Sequence, residues 1–298
     1  MHRARSGIAL LITLMFVIVI TVAIGYGLKQ VNDATKVVKE EKFLYQSNLL
    51  IEDILNILKN SRELQAAVEN NSISEFNLLL TQASFIPFEY KGVEILLHLK
   101  SARAKFNPAM LNNIRSEYLK QYLSNYNINT QYVEILRDNI GGFKADNSYN
   151  STIFDENPYL FRDYIASAKH LAIINEYYTR ENNDNSLENI NFNKLFYYSK
   201  DTNMSIDVNY ATPEVWEFML GCSRTKAELL SAGGGYYSAD EELNLNEDEL
   251  QRLDNFKRSF LEPIVEIELE ISVNGENTTM SFEYDIKKKK GSNFAYEI

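Results

Sequence analysis

The chain has 298 residues, 30 Lys plus Arg against 41 Asp plus Glu, and a formal net charge of −11. That balance argues against binding nucleic acid through its phosphates, which needs clustered basic side chains. A hydrophobic content of 45% is enough for a real core in one or two domains, and a single cysteine, Cys222, excludes an intramolecular disulfide.

In chain order, residues 8–27 carry no charge. That length matches the ~20 residues a helix needs to cross a bilayer. His2, Arg3 and Arg5 precede the run. Basic flanks stay cytoplasmic, so a single-pass protein with most of its chain across the membrane is expected. Three readings fit the start. One is a cleaved secretory signal with Ala23-Ile24-Gly25 as its small-residue site. The second is an uncut anchor. The third is a prepilin-type leader, residues 1–7, ending in Gly7 directly before the apolar run, so that cleavage before Ile8 leaves the membrane helix on the mature protein.

The residues C-terminal to the run favour the prepilin-type leader. Residues 28–67 contain no Pro and no Gly, and Val37, Leu44, Ile51, Leu55 and Leu58 fall on one helical face. One continuous helix over 8–70 is expected, with 8–27 in the membrane and an amphipathic outer half. A secretory signal would be succeeded by a polar break instead. Glu69-Asn70-Asn71 ends the helix, and Ser72 with Glu75 reads as a capping box before a short helix to Ala83. Pro87 reads as a break. The alternation of Val93, Ile95, Leu97 and Leu99 predicts a strand over 93–106, closed by an Asn107-Pro108 turn.

The period then changes. Helices are expected near 109–124, 129–139, 158–180, 191–199, 213–231 and 246–260, joined by Asn- and Asp-rich loops. Thr212-Pro213 is a helix start, with Thr as N-cap and Pro in the first turn. After Pro263 the period returns to two: Val265, Ile267, Leu269 and Ile271 alternate with Glu and Ser. Asn274-Gly275 signals a hairpin, Met280, Phe282 and Tyr284 alternate back, and a further strand is expected near 293–298. The expected fold is therefore α+β. A long N-terminal helix packs on a small antiparallel sheet made from 71–107 and 260–298, with an all-helical domain, 108–259, inserted between.

Reactive constellations are sparse. The chain has no Walker A loop, GxGxxG, HExxH or GxSxG. Gly233-Gly234-Gly235 lacks a following Lys-Ser/Thr and reads as a flexible turn. Lys287 to Lys290 reads as a solvated turn. His98, His170 and Cys222 have no sequence neighbours that would make a triad or a zinc site. The chain is not expected to be an enzyme.

Three features together resemble the minor pseudopilin K family of type II secretion, which is type IV pilin-like. The first is Arg3-Ala4-Arg5-Ser6-Gly7-Ile8-Ala9-Leu10-Leu11, similar to the family's leader and first turn. The second is a pair of asparagine motifs, Lys105-Phe106-Asn107-Pro108-Ala109-Met110-Leu111 and Asp207-Val208-Asn209-Tyr210-Ala211-Thr212-Pro213. The family typically shows N-L-N-x-L and N-x-N-T-A-x-x-x-L there. The present chain keeps one Asn of N-L-N and has Ala-Thr in place of Thr-Ala. The third is the large helical insertion, which ordinary pilins lack.

The resemblance implies an inner-membrane precursor cut between Gly7 and Ile8 by a prepilin peptidase and N-methylated on Ile8. Arg3 and Arg5 would serve leader recognition and topology. Most pilins carry Glu at the fifth mature position, where it neutralises a neighbour's N-terminal amine. Here that position is Ile12. A subunit without this carboxylate fits best at a filament tip, because an unpaired charge in lipid is costly. The implied partners are other minor pseudopilins, the major pseudopilin, the prepilin peptidase, the inner-membrane assembly platform, and secreted substrates or the secretin, but not nucleic acid. The Val37, Leu44, Ile51, Leu55 and Leu58 stripe would face partners, part of it packing on the protein's own sheet. No cofactor is required. The resemblance leaves room for calcium in the insert, with Asp240, Glu241, Glu242 and Asp248 as candidate ligands. No EF-hand spacing is present, and the spacing favours a solvated acidic surface. The alternatives are a minor pilin of a type IV pilus or DNA-uptake machine, and a membrane-anchored periplasmic binding protein.

Overall fold

The computed structural model describes residues 51–90, 93–273 and 276–297. These divide into two compact units. One comprises the chain up to Ala102 and from Pro263 onward, and the other is Arg103–Glu262. No helix among the described residues is long and apolar enough to cross a membrane. The 8–27 run and the Asn274-Gly275 turn lie outside the described residues.

The first unit holds the expected antiparallel sheet. Five strands run in the order β1 (Ile86–Tyr90), β2 (Val93–Ser101), β5 (Ile264–Val273), β6 (Glu276–Asp285), β7 (Lys290–Glu297). The register lines up the apolar alternation. Leu97 pairs with Leu269 and Leu269 with Met280, while Leu99 pairs with Ile267 and Ile267 with Phe282. All of these are buried. The intervening positions carry polar or charged side chains: Lys100 lies 3.3 Å from Glu266 and 3.0 Å from Glu268, and His98 lies 3.6 Å from Glu270. One face is therefore core and the other polar, as a period of two requires. Ile51, Ile54 and Leu58 are buried on the helical segment 51–60, and Phe76 and Leu80 on the Ile73–Gln82 helix.

Several expectations for this unit are corrected. The helix does not run unbroken to residue 70: among the described residues it covers 51–60, stops at Ser61 and restarts as Arg62–Glu69. Here polar side chains compete for the backbone. Ser61 caps the second helix by accepting from Leu64 N at 3.2 Å, and Asn60 donates to Asn56 O at 2.8 Å. Pro87 does not break the chain but lies inside β1. That strand is at the sheet edge, where the missing N–H costs no ladder bond. The 93–106 strand ends at Ser101. The 72–75 box is half-formed: Ser72 Oγ accepts from Glu75 N at 3.3 Å. The Lys287 to Lys290 side chains are exposed as expected, and β7 starts at Lys290, earlier than the expected 293.

The second unit is mostly helical around an aromatic core in which Phe106, Tyr132, Tyr178, Phe196, Trp216 and Phe218 are each 0–1% exposed. Its main helices are Asn113–Ser124, Gln131–Ile140, Ala168–Asn182, Pro213–Leu220, Arg224–Ala232 and Glu247–Leu253. It is not all-helical. A short parallel ladder joins β3 (Ile206–Asp207) to β4 (Arg258–Ser259). Both strands are too short to give a periodic signal, yet the buried backbone of β3 must be paired. The expected 158–180 helix begins only at Ala168, and 191–199 shrinks to Phe192–Leu195. Around Arg162 the rings serve another purpose, with the guanidinium carbon 4.0 Å from the Phe154 centroid. The 213–231 helix splits at Gly221, which has φ 64° and is followed by the N-cap Ser223.

Candidate functional site

The two asparagine motifs sit where the second unit's chain enters and closes. Asn107 is 2% exposed. Its Nδ2 donates to Ser199 O at 2.9 Å and Asp201 O at 2.8 Å, and its Oδ1 accepts from Ala109 N at 3.1 Å. The preceding Phe106 donates to Leu195 O at 3.0 Å and accepts from Tyr197 N at 2.8 Å. One amide thus fixes a turn and a distant loop together.

Asn209 is held more completely. Its Nδ2 donates to Tyr237 O at 2.8 Å and Phe260 O at 2.7 Å. Its Oδ1 accepts from Gly235 N at 2.9 Å and Tyr237 N at 2.8 Å. An amide has two donors and two acceptor lone pairs, so none is left for a ligand. Beside it Asp207, 0% exposed, accepts from Asn209 N at 3.1 Å and from Glu262 N at 2.8 Å. Burial pushes its carboxyl up to about 7, despite the two backbone donors that pull the other way. Asp207 N also donates to Arg103 O at 2.8 Å, so this cluster joins the first and last residues of the unit. The Gly233-Gly234-Gly235 turn is not a loose loop. A Cβ on Gly234 would lie 2.1 Å from Asn209 O, and one on Gly233 would lie 2.2 Å from Tyr237 Oη. The glycines allow the turn to close onto Asn209.

The titratable candidates are spread out. His170 Nδ1 accepts from Ala166 N at 3.2 Å, and burial lowers the imidazole pKa. Burial pushes the Cys222 thiol up to about 11, which makes it a poor nucleophile. Among the described residues no group of three His, Cys, Asp or Glu side chains could hold a metal ion. Of the calcium candidates, Asp240 is paired with Arg258, and Glu242 accepts from Ser238 N at 2.6 Å and Ser238 Oγ at 3.1 Å. Glu241 and Asp248 are exposed. These residues do not fit a cage of six to eight oxygens. Sequence reading missed a true capping box, Asn246 with Glu249, and an ion cluster built on two buried glutamates. In that cluster Arg224 reaches Glu214 at 3.1 Å and Glu217 at 3.8 Å, and the Tyr126 hydroxyl donates to Glu217 at 2.9 Å. The i, i+3 spacing of the two glutamates was its only trace in the sequence.

Of the processing and packing residues, Arg3, Arg5, Gly7, Ile8, Ile12, Val37 and Leu44 lie outside the described residues. Ile51 and Leu58 are buried within the first unit. Leu55 packs on β7: a Cβ on Gly291 would lie 2.8 Å from its Cδ2. This end of the stripe is therefore turned to the protein's own sheet.

No family model and no curated protein matches the chain. A solved structure does: a chain of the GspK-GspI-GspJ complex from the type 2 secretion system of enterotoxigenic Escherichia coli. The match has a TM-score of 0.51 at 12% identity and covers 87% of this chain and 98% of that one. The two chains share a fold.

Proposed function

We propose that this chain is a minor pseudopilin of a type II secretion system, the K-type subunit at the tip of a short pseudopilus. The observation that carries the reading is architectural. A helical unit interrupts one antiparallel sheet between β2 and β5, and a solved chain from a GspK-GspI-GspJ complex shares this fold over 98% of its length. The asparagine motifs support the K-type assignment, because each serves as a clamp at an end of the inserted unit. The charge-free 8–27 run behind Arg3 and Arg5 supports a membrane helix that a prepilin peptidase exposes by cutting after Gly7.

On this reading the protein does no chemistry on its cargo. It joins other minor pseudopilins through its N-terminal helix, nucleates the filament, and helps push folded substrates through an outer-membrane channel. Ile12 in place of a carboxylate suits a terminal subunit, which has no neighbour's amine to neutralise. The test is intact mass and N-terminal sequencing of membrane-derived protein, with and without a prepilin peptidase. A chain starting at N-methylated Ile8 only when the peptidase is present is the expected result. A chain still starting at Met1, or one cut near Gly25, refutes the assignment.

A further inference from the structure

The Ala168–Asn182 helix and the segment that comes after it form an open groove of 920 Å³ in the second unit. That size falls within the ~300–1,000 Å³ of typical ligand clefts. Its floor is apolar, with Leu171, Ile190 and Phe192 between 3% and 8% exposed. Ala172 leaves the helix side of the groove open. The wall carries amides, of which Asn175 is held in a set orientation. The Tyr132 hydroxyl donates to its Oδ1 at 2.6 Å, and its Nδ2 has no partner among the described residues. The Tyr198 hydroxyl, on another lining residue, also lacks one.

The charge of the groove is one-sided. Glu176 and Glu188 line it and make no ion pair among the described residues. Arg180, the one cation among the lining residues, is already paired with Glu156 and Glu181. An oriented amide N–H suits a backbone carbonyl, an apolar floor suits a side chain, and unpaired carboxylates suit an ammonium or guanidinium group. A sugar ring would need an open aromatic face; of the two lining aromatics Phe192 is only 8% exposed, and Tyr198 is half-buried with its hydroxyl enclosed.

We propose that this groove binds an extended segment of a partner protein. An apolar side chain rests on the Ile190 and Phe192 floor, a backbone carbonyl takes the Asn175 amide, and a neighbouring Lys or Arg sits beside Glu176 and Glu188. The inference stands apart from the secretion reading, because it concerns binding by the isolated protein.

The test uses the full-length protein in detergent micelles and fluorescein-labelled nonapeptides read by anisotropy. One set places a central Leu among Lys and Arg, and a matched set replaces the basic residues with Glu. The basic set is expected to bind about tenfold more tightly than the acidic set, with an advantage that shrinks as salt rises. The Glu176→Gln/Glu188→Gln double variant removes that advantage. Asn175→Ala weakens both sets, and Ala172→Phe fills the groove and abolishes binding. The Trp216 emission spectrum reports that each variant is folded. Equal binding of the two sets, no binding of either, or unchanged binding by Ala172→Phe overturns the proposal. So does chitotetraose competing for the same site.

Discussion

Asn209 is the side chain whose loss should cost the second unit most for its size. Asn209→Ala removes four buried hydrogen bonds: two to the Tyr237 and Phe260 carbonyls and two from the Gly235 and Tyr237 amides. At about 1 kcal/mol each the loss is about 4 kcal/mol, and groups left unpaired in the interior push it higher. For a unit of this size that corresponds to a melting point lower by about 8–16 °C. The assay is built in. Trp216 is the only tryptophan, it is 0% exposed, and it lies in this unit, so its emission during heating follows the unit's core. Asn209→Asp sharpens the test. It keeps the acceptors but puts a carboxylate oxygen against two carbonyls, so at neutral pH it should melt below Asn209→Ala. Its folded-state pKa is then raised, so its deficit relative to wild type should shrink in acid and grow as pH rises. A Trp216 melt unchanged by Asn209→Ala would refute the clamp. So would an Asn209→Asp deficit independent of pH.

Other outcomes rest on the same geometry. Burial raises the Asp207 carboxyl to about 7, above the ordinary 3.8 of the unfolded chain. The folded state therefore holds a proton that the unfolded state has lost, and stability falls as pH rises from about 4 to about 7, by up to about 4 kcal/mol from this group. Urea melts at several pH values, compared with Asp207→Asn, should show the variant losing that part of the pH dependence. Gly234→Ala places a methyl against the Asn209 carbonyl and should cost about 3 kcal/mol by the same Trp216 melt. Lys100→Ala removes two pairs from a half-exposed side chain, so it should shift stability by less than about 1 kcal/mol and lose even that at high salt. Burial holds the Cys222 thiol near 11, so iodoacetamide at neutral pH should label it slowly until urea opens the unit.

The sheet was legible because its strands keep a strict period of two. Val265, Ile267, Leu269 and Ile271 face the core, and the glutamates between them do not. The break at Ser61 was not legible. The apolar phase of Ile54, Leu58, Leu64 and Val68 continues across it, while the cause is a pair of short polar side chains turning back onto the backbone. Pro87 misled for the opposite reason: it is a true strand breaker except on an edge, and edge position is a tertiary property. The split at Gly221 depends on a left-handed backbone angle that a helical pattern tolerates on either side. The asparagine motifs stood out in the sequence, but their partners did not. Tyr237 and Phe260 are 28 and 51 residues away from Asn209, and both bond through their main chains, which carry no residue signal.

The departures of these motifs from the pattern they resemble have a physical account. Where N-L-N would put a second amide, this chain has Ala109, whose N–H is bonded by Asn107 itself, inside a short turn started by Pro108. One asparagine therefore does the fastening, and proline supplies the turn. In the second motif the Thr comes after the Ala. Ala211 is 1% exposed, where a hydroxyl would need a partner. Thr212, one step later, caps the Pro213–Leu220 helix by accepting from Val215 N at 3.2 Å and donates to Lys194 O at 2.7 Å. At 212 the hydroxyl serves as a helix N-cap; at 211 it would be buried. Swapping the pair, Ala211→Thr with Thr212→Ala, should remove the cap and bury an extra oxygen. The expected loss is about 2 kcal/mol or more in the Trp216 melt, with Asn209 untouched. A double swap that melts like wild type would show that Ala211 has space for a hydroxyl and that Thr212 is not needed as a cap.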